Sequence, residues 1–136
     1  MPLISWNAGL SLGIQDIDTQ HRKLVDIINQ LHDAQLQGRS REVMDQILSA
    51  LYDYTQLHFS FEERMLARAG YADLANHQQT HRAFMAKLAD LQARHRDPKK
   101  PMSSLEVMNF LKDWLVKHIQ GVDKRYAAEL ATAQQR

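Results

Sequence analysis

The sequence predicts an all-α protein, an antiparallel up-down-up-down four-helix bundle with an extended N-terminal arm. Apolar residues recur at intervals of three and four over four long stretches, which is the period of an amphipathic helix. Strand-like alternation is absent, and the 136 residues include only 5 Gly and 3 Pro. Because the connections between the four stretches are short, neighbouring helices are expected to pack antiparallel. A single domain is therefore expected over residues 1–136.

The arm is expected over residues 1–17, where two glycines and scattered Leu, Ile and Trp6 favour packing along a surface over a helix. A first helix is expected over about residues 19–37 and a second over about 41–69. Gly38 and Gly70 follow them, and glycine is common just past a helix C-terminus because it adopts left-handed backbone conformations.

The third and fourth helices are separated by a polar turn. The third is expected over about residues 74–95 and is followed by the turn sequence Asp-Pro-Lys-Lys-Pro at 97–101. Ser103, with Glu106 three residues later, has the pattern of a capping box. The fourth helix is therefore expected to begin there and to run over about residues 104–131.

Composition excludes several functional classes. A net charge of +1 and a pI near 8.1 give no electrostatic basis for binding nucleic acid. No stretch approaches the roughly 18 apolar residues that span a bilayer, so no membrane insertion is expected. The chain has no cysteine, and its first basic residue is Arg22, unlike a signal peptide. We expect a cytoplasmic protein, and the mixed-charge outer faces of the helices favour a monomer.

Five of the seven histidines fall on the apolar faces of the predicted helices: His21, His58, His77, His81 and His118. Glu62 and Asp123 accompany them. One such histidine alone would be interpreted as a core residue with a hydrogen-bond partner. Burying seven ionisable groups in one small core without a metal would cost several kcal/mol each, and coordination removes that cost. The pattern therefore predicts a metal centre.

Helix order brings these residues to one end of an antiparallel bundle. They occur early in the first and third helices and late in the second and fourth. Residues four apart share a helix face, so His58 with Glu62 and His77 with His81 each present two ligand atoms together. Seven ligands exceed what one ion accepts, and two ions that share the carboxylates fit better.

The spacing from His118 to Asp123 departs from helical periodicity. Five residues of a regular α-helix rotate a side chain by about 140°, which would point the two apart. A π-bulge at about residues 120–122 would return them to one face, and Gly121 would tolerate the distortion. The alternative is that Asp123 is a surface residue.

The ligand types narrow the metal. Imidazole suits several transition metals, whereas bridging carboxylates favour hard ions such as iron and manganese. None of the glutamates is followed by histidine at the third position, as in the Glu-x-x-His motif of ferritin-like sites. His32 and His95 lie outside the pattern and are expected at the surface or an edge, and Glu63 is expected in solvent.

In this order and at these separations, the seven candidate ligands resemble those of the hemerythrins, in particular the free-standing prokaryotic members, the bacteriohemerythrins. The resemblance extends from Trp6 to Asp123. It implies a non-haem di-iron centre, bridged by an oxo or hydroxo group, that binds O2 reversibly for storage or delivery to oxygen-requiring enzymes. It divides the seven ligands as follows: His77, His81 and His118 on one iron, His21 and His58 on the other, and Glu62 and Asp123 bridging.

An O2 carrier of this kind needs a dry, apolar pocket. Five residues are close enough in sequence to the ligands to line it, although ordinary core packing is equally compatible with each: Phe59, Phe61, Trp114, Leu115 and Ile119. Leu115, one turn before His118, is the expected wall. Two alternatives remain at this point, a di-iron oxidase, peroxidase or nitric-oxide-handling enzyme, and a protein that sequesters iron.

Overall fold

A computed structural model describes residues 3–97, 99 and 103–134, with side chains described through residue 130. Its elements, in chain order, are a 3-10 helix (Ala8–Leu10), α1 (Gln15–Leu36), α2 (Ser40–Arg68), α3 (Leu74–Arg96), α4 (Ser104–Lys117), a π segment (His118–Asp123) and α5 (Lys124–Gln134). α4, the π segment and α5 form one continuous fourth helix of the bundle. The described residues contain no strand, and the predicted all-α bundle is confirmed.

The helices pack as expected for antiparallel neighbours. α2 packs against both α1 and α3, and α4 packs against α1 and α2. Gly38 and Gly70 have φ angles of +71° and +68°, so each ends its helix in the left-handed conformation predicted for it. None of the helices in the described part of the chain is long and apolar enough to span a membrane.

The arm is tied to α1 by hydrogen bonds. The Ile4 N–H donates to Asn29 Oδ1, and the Asn29 amide donates back to the Ile4 carbonyl, both at 2.9 Å. Further along, the Asp18 carboxylate accepts from the Leu12 N–H at 2.8 Å and from the Ser11 hydroxyl at 2.6 Å. Asp18 lies inside α1, because α1 begins at Gln15 and not at about residue 19 as expected.

The start of α4 uses a different contact from the predicted capping box. Ser103 occupies the N-cap position, but its side chain makes no capping hydrogen bond with the described residues. Instead the Ser40 hydroxyl donates to the Ser104 hydroxyl at 2.9 Å. This bond links the first turns of α2 and α4, which lie side by side at the end of the bundle away from the candidate ligands.

The predicted bulge in the fourth helix is confirmed, and the π segment extends over the whole interval His118–Asp123. The wider turn places both end residues in the interior, with His118 6% exposed and Asp123 fully buried. A Cβ added to Gly121 would meet no described atom within 4 Å, so packing does not require glycine there. The wider turn instead allows the residues at both of its ends, His118 and Asp123, to be buried.

Candidate metal centre

All seven candidate ligands converge at one end of the bundle, and each is 0–6% exposed. His21 comes from the second turn of α1, and His58 and Glu62 come from the C-terminal half of α2. His77 and His81 lie in the first three turns of α3, which packs against α2. The π segment completes the ring of donors with His118 and Asp123.

The donors form two groups that share one residue. In each group the ligand atoms lie within 4.8 Å of one another: Glu62, His77, His81 and His118 in the first, and His21, His58 and Glu62 in the second. We refer to these as the three-histidine group and the two-histidine group. Glu62 belongs to both, so its carboxylate lies between them.

Glu62 and Asp123 each approach histidines of both groups. Glu62 lies 2.6 Å from His77 Nε2 and 3.0 Å from His81 Nε2 in one group, and 3.5 Å from His58 Nε2 in the other. Asp123 lies 3.1 Å from His118 Nε2 and 3.2 Å from His21 Nε2. Both carboxylates therefore occupy positions from which they could bridge two ions.

Burial and mutual contact shift the pKa values of these groups in different directions. Burial lowers the pKa of His58 to about 4 despite the nearby Glu62, so its imidazole is neutral at pH 7. Burial alone would raise the pKa of Glu62, but the close approach of His77 and His81 holds it well below its usual value. The Glu62 contact outweighs burial at His77 and raises its pKa.

Asp123 is also held as a carboxylate. Burial and the Glu62 charge would raise its pKa, but the closeness of His118 and His21 lowers it. Two anions thus share one dry site with five imidazoles. Such a site favours a positive charge at its middle, which a metal ion would supply.

A second observation also fits a pair of metal ions: several buried atoms of the candidate ligands have no hydrogen-bond partner within the described part of the chain. The buried atoms that find no hydrogen-bond partner among the described residues include four that could coordinate a metal: His81 Nε2, His118 Nε2 and both carboxylate oxygens of Asp123. Buried polar atoms of this kind are costly unless they are paired. Nitrogen and carboxylate donors are also the ligands that first-row transition metals accept.

Two ligand histidines have partners at their second ring nitrogen. His58 Nδ1 lies 2.6 Å from Gln20 Oε1, and His81 Nδ1 lies 2.9 Å from Glu63 Oε2. The expectation that Glu63 faces solvent is wrong, since its side chain is 26% exposed and contacts a candidate ligand. Helical periodicity on α2 alone does not reveal this contact, because the partner comes from α3.

Tyr126 supplies a third supporting contact, which the sequence leaves undecided between helix packing and support of a ligand. Its hydroxyl donates to Glu62 Oε2 at 3.0 Å, and its side chain is fully buried. Burial and the charges of Glu62 and Asp123 raise the pKa of Tyr126. The hydroxyl therefore keeps its proton and holds the second oxygen of the shared carboxylate.

Aromatic rings support the three-histidine group. Phe59 stacks on His81 with ring centroids 3.6 Å apart, and Trp114 stacks on His118 at 4.4 Å. Phe84 in turn stacks on Trp114 at 3.8 Å. These flat contacts limit rotation of the imidazoles. In the two-histidine group, His21 and His58 instead meet edge to face at 4.7 Å.

Four of the five predicted pocket residues lie in or against the main core, and the fifth lies in a separate groove. Phe59, Leu115 and Ile119 are 0–4% exposed and belong to the main core, with Trp114 half-buried against it. Phe61 instead lines a groove with Arg64, Met65, Arg68 and Ala69. His32 and His95 are half-buried and lie outside the two ligand groups.

Comparison with known proteins gives a consistent result. A family model described as the hemerythrin HHE cation binding domain matches residues 12–130. The chain is 35% identical over 130 residues to a bacteriohemerythrin of Stenotrophomonas maltophilia, covering 96% of this chain and 83% of that protein. It is 37% identical over 129 residues to one of Methylococcus capsulatus, covering 93% and 95%. A crystal structure of wild-type hemerythrin superposes with a TM-score of 0.83 at 35% identity, covering 93% of this chain and 96% of that one.

Proposed function

The chain belongs to the hemerythrin family, and on that premise we propose that it holds two iron ions and binds O2 reversibly. The proposed role is storage of O2 or its delivery to oxygen-requiring enzymes. The observation that supports it most directly is the sharing of two buried carboxylates between two groups of histidines. When bound, a pair of ferrous ions supplies the two electrons that O2 binding draws on.

The proposed ligands follow the two groups. His77, His81 and His118 would hold one iron, and His21 and His58 the other. Glu62 and Asp123 would bridge them, together with an oxo or hydroxo group. Because His21 and His58 would give the second ion fewer protein ligands than the first, the second would be the ion able to accept O2.

The protein itself would keep the ligand atoms in the protonation state that binds metal and would exclude water from the site. The low pKa of His58, about 4, leaves its ring nitrogen free to coordinate at neutral pH. The Tyr126 hydroxyl donates its hydrogen bond to Glu62, so its proton is not available to bound O2. Phe59 stacks on His81, and Leu115 and Ile119 are buried in the same apolar core. Leu115 is the proposed wall of the O2 pocket.

These features suit a carrier better than an enzyme. Reversible binding requires that the bound O2 meets neither bulk water nor a group that readily gives up a proton. The seven candidate ligands are nearly inaccessible to solvent, which meets the first requirement. We place this activity in a cytoplasmic monomer. Sedimentation of the iron-loaded protein at several concentrations would test the monomer.

The test is anaerobic loading with Fe²⁺, followed by iron analysis and optical spectra under argon, in air and again under argon. We expect two irons per chain and a visible band that appears in air and disappears when O2 is removed. The variant H58A should lose iron from the two-histidine group, whereas H95A, which replaces a histidine outside the site, should behave as the wild type.

The other outcomes would assign a different function. A one-way change to the ferric form, with O2 consumed in the presence of a reductant, would indicate a di-iron oxidase, peroxidase or nitric-oxide-handling enzyme. Readily exchanged iron without an O2-dependent band would indicate iron sequestration. Less than stoichiometric iron in the wild type would contradict the di-iron proposal itself.

A further inference from the structure

Each of the two groups contains one histidine whose second ring nitrogen meets an acceptor. In the two-histidine group, His58 Nδ1 lies 2.6 Å from Gln20 Oε1. In the three-histidine group, His81 Nδ1 lies 2.9 Å from Glu63 Oε2. Because amide and carboxylate oxygens accept, each imidazole carries its proton on Nδ1. Its Nε2 is then free to face Glu62, at 3.5 Å for His58 and 3.0 Å for His81.

The two acceptors differ in charge. Gln20 offers an amide oxygen, whereas Glu63 offers a carboxylate oxygen. The Glu63 side chain is 26% exposed, and it lies in a groove of about 240 Å³ between α2 and α3. Solvent in this groove can hydrate the charge, so no second buried counter-charge is required. Among the residues that the structure describes, the three-histidine group therefore has a carboxylate partner at a second ring nitrogen, and the two-histidine group has an amide there instead.

The ring that receives this bond is held in one orientation. Phe59 stacks on His81 at a centroid distance of 3.6 Å and an interplanar angle of 2°. The imidazole is thus fixed between a phenyl face and the carboxylate on its edge. A hydrogen bond to a charged acceptor is about twice as strong as one to a neutral acceptor. It also makes the imidazole a more electron-rich ligand for a metal.

We propose that Glu63 is a positioning residue that makes the three-histidine metal site the more electron-rich of the two, with Gln20 as its neutral counterpart in the two-histidine group. This inference rests on the proposed di-iron function. An ion held by a more electron-rich ligand set is more stable in its higher oxidation state. Glu63 thereby lowers the reduction potential of the centre and sets how readily the iron pair oxidises.

Three charge variants test this. E63Q keeps the size of the side chain and its ability to accept from His81, but removes the charge. Q20E adds a charge at the equivalent position on His58. E106Q is the matched control, since it removes an exposed carboxylate 12 residues, or about 18 Å along the helix, before His118.

The readouts are the midpoint potential of the iron-loaded protein and the Zn²⁺ affinity of the metal-free protein, measured by competition. The potential of E63Q should be more positive than that of the wild type and that of Q20E more negative, with E106Q unchanged. Because E63Q replaces the charged partner of His81 with a neutral one, it should also weaken Zn²⁺ binding, by up to roughly the 10- to 100-fold typical of outer-shell changes. A purely structural role for Glu63 would not shift the potentials of E63Q and Q20E in opposite directions.

Two results would overturn the inference: potentials for E63Q and E106Q that match, or shifts of the same sign in E63Q and Q20E. If the wild type fails to hold two irons, the proposed function fails. The Zn²⁺ comparison still decides the role of Glu63 in that case, because it depends on neither iron nor O2. Equal Zn²⁺ affinities of E63Q and E106Q would then refute it.

Discussion

The two ends of the bundle are equally buried but chemically opposite. At the metal end, the seven candidate ligands are 0–6% exposed, and all of them are ionisable. At the far end, each helix contributes an apolar residue ten positions, or about 15 Å, from a candidate ligand. These four residues are 0–3% exposed: Leu31, Leu48, Leu91 and Met108.

The difference indicates that one end of the bundle mainly stabilises the fold and the other is arranged to bind metal. Apolar burial at the far end is favourable without any ligand, because it removes hydrocarbon from water. Burial of charge at the metal end is favourable only when the groups are paired or bind a cation. The far end can therefore hold the helices in register while the metal end retains unpaired donors.

The largest expected effect comes from removing the carboxylate that both ligand groups share. E62A should reduce affinity for both ions by more than the roughly 10- to 100-fold typical of an outer-shell change. Metal content after loading and dialysis measures this. E42A, which removes an exposed glutamate of the same helix, is the control. Two tightly held ions in E62A would contradict the assignment of Glu62 as a bridge.

A leucine at the far end should affect stability without affecting the metal. L48A should lower the free energy of unfolding by about 2–5 kcal/mol, because the truncation leaves a cavity. Urea denaturation of the metal-free protein gives this value, and iron content should match that of the wild type. L57A on the same helix, where the leucine is 58% exposed, should change stability by no more than about 0.5 kcal/mol. Loss of iron from L48A would show that the two ends are coupled.

Tyr126 tests how far the metal end depends on hydrogen bonding alone. Y126F removes the hydroxyl that donates to Glu62 while keeping the buried ring. A bond to a charged group contributes about 1.5–3 kcal/mol, so the metal-free variant should lose stability of that order in urea denaturation. Y54F, which alters a half-buried tyrosine on α2, should lose less stability. Equal losses would mean that the Tyr126 hydroxyl has no special role.

The smallest effect is expected at the surface pair of Asp45 and Arg96. The Arg96 guanidinium donates at 2.7 and 3.2 Å to the Asp45 carboxylate and holds the pKa of Asp45 below its usual value. Its contribution is therefore present above the ordinary aspartate pKa of about 3.9 and is lost as the pH falls through the lower folded-state value.

D45N of the metal-free protein should consequently show a slightly lower Tm than the wild type at pH 7. The difference should shrink as the pH is lowered below about 4. D53N, which removes another exposed carboxylate of α2, provides the comparison. Since both partners are largely exposed, solvent screens the pair, and a large or pH-independent effect would contradict this account.

Much of the site could be predicted because it depends on geometry within single helices. The period of 3.6 residues places His58 with Glu62 and His77 with His81 on shared faces, whichever way the helices pack. The irregular interval from His118 to Asp123 predicted a π-bulge for the same reason, since only a wider turn brings both side chains inward. Gly38 and Gly70 likewise marked helix ends through local backbone preference.

What only the tertiary structure decided are the contacts between helices. Glu63 lies beside Glu62 in sequence, yet its contact with His81 depends on how α2 and α3 are rotated against each other. Gln20 meets His58 across α1 and α2 for the same reason. Phe61, adjacent to Glu62, lines a separate groove. Periodicity indicates which face of a helix is buried. The residue that a side chain at the edge of that face contacts depends on how two helices pack, and the sequence of one helix alone does not specify this.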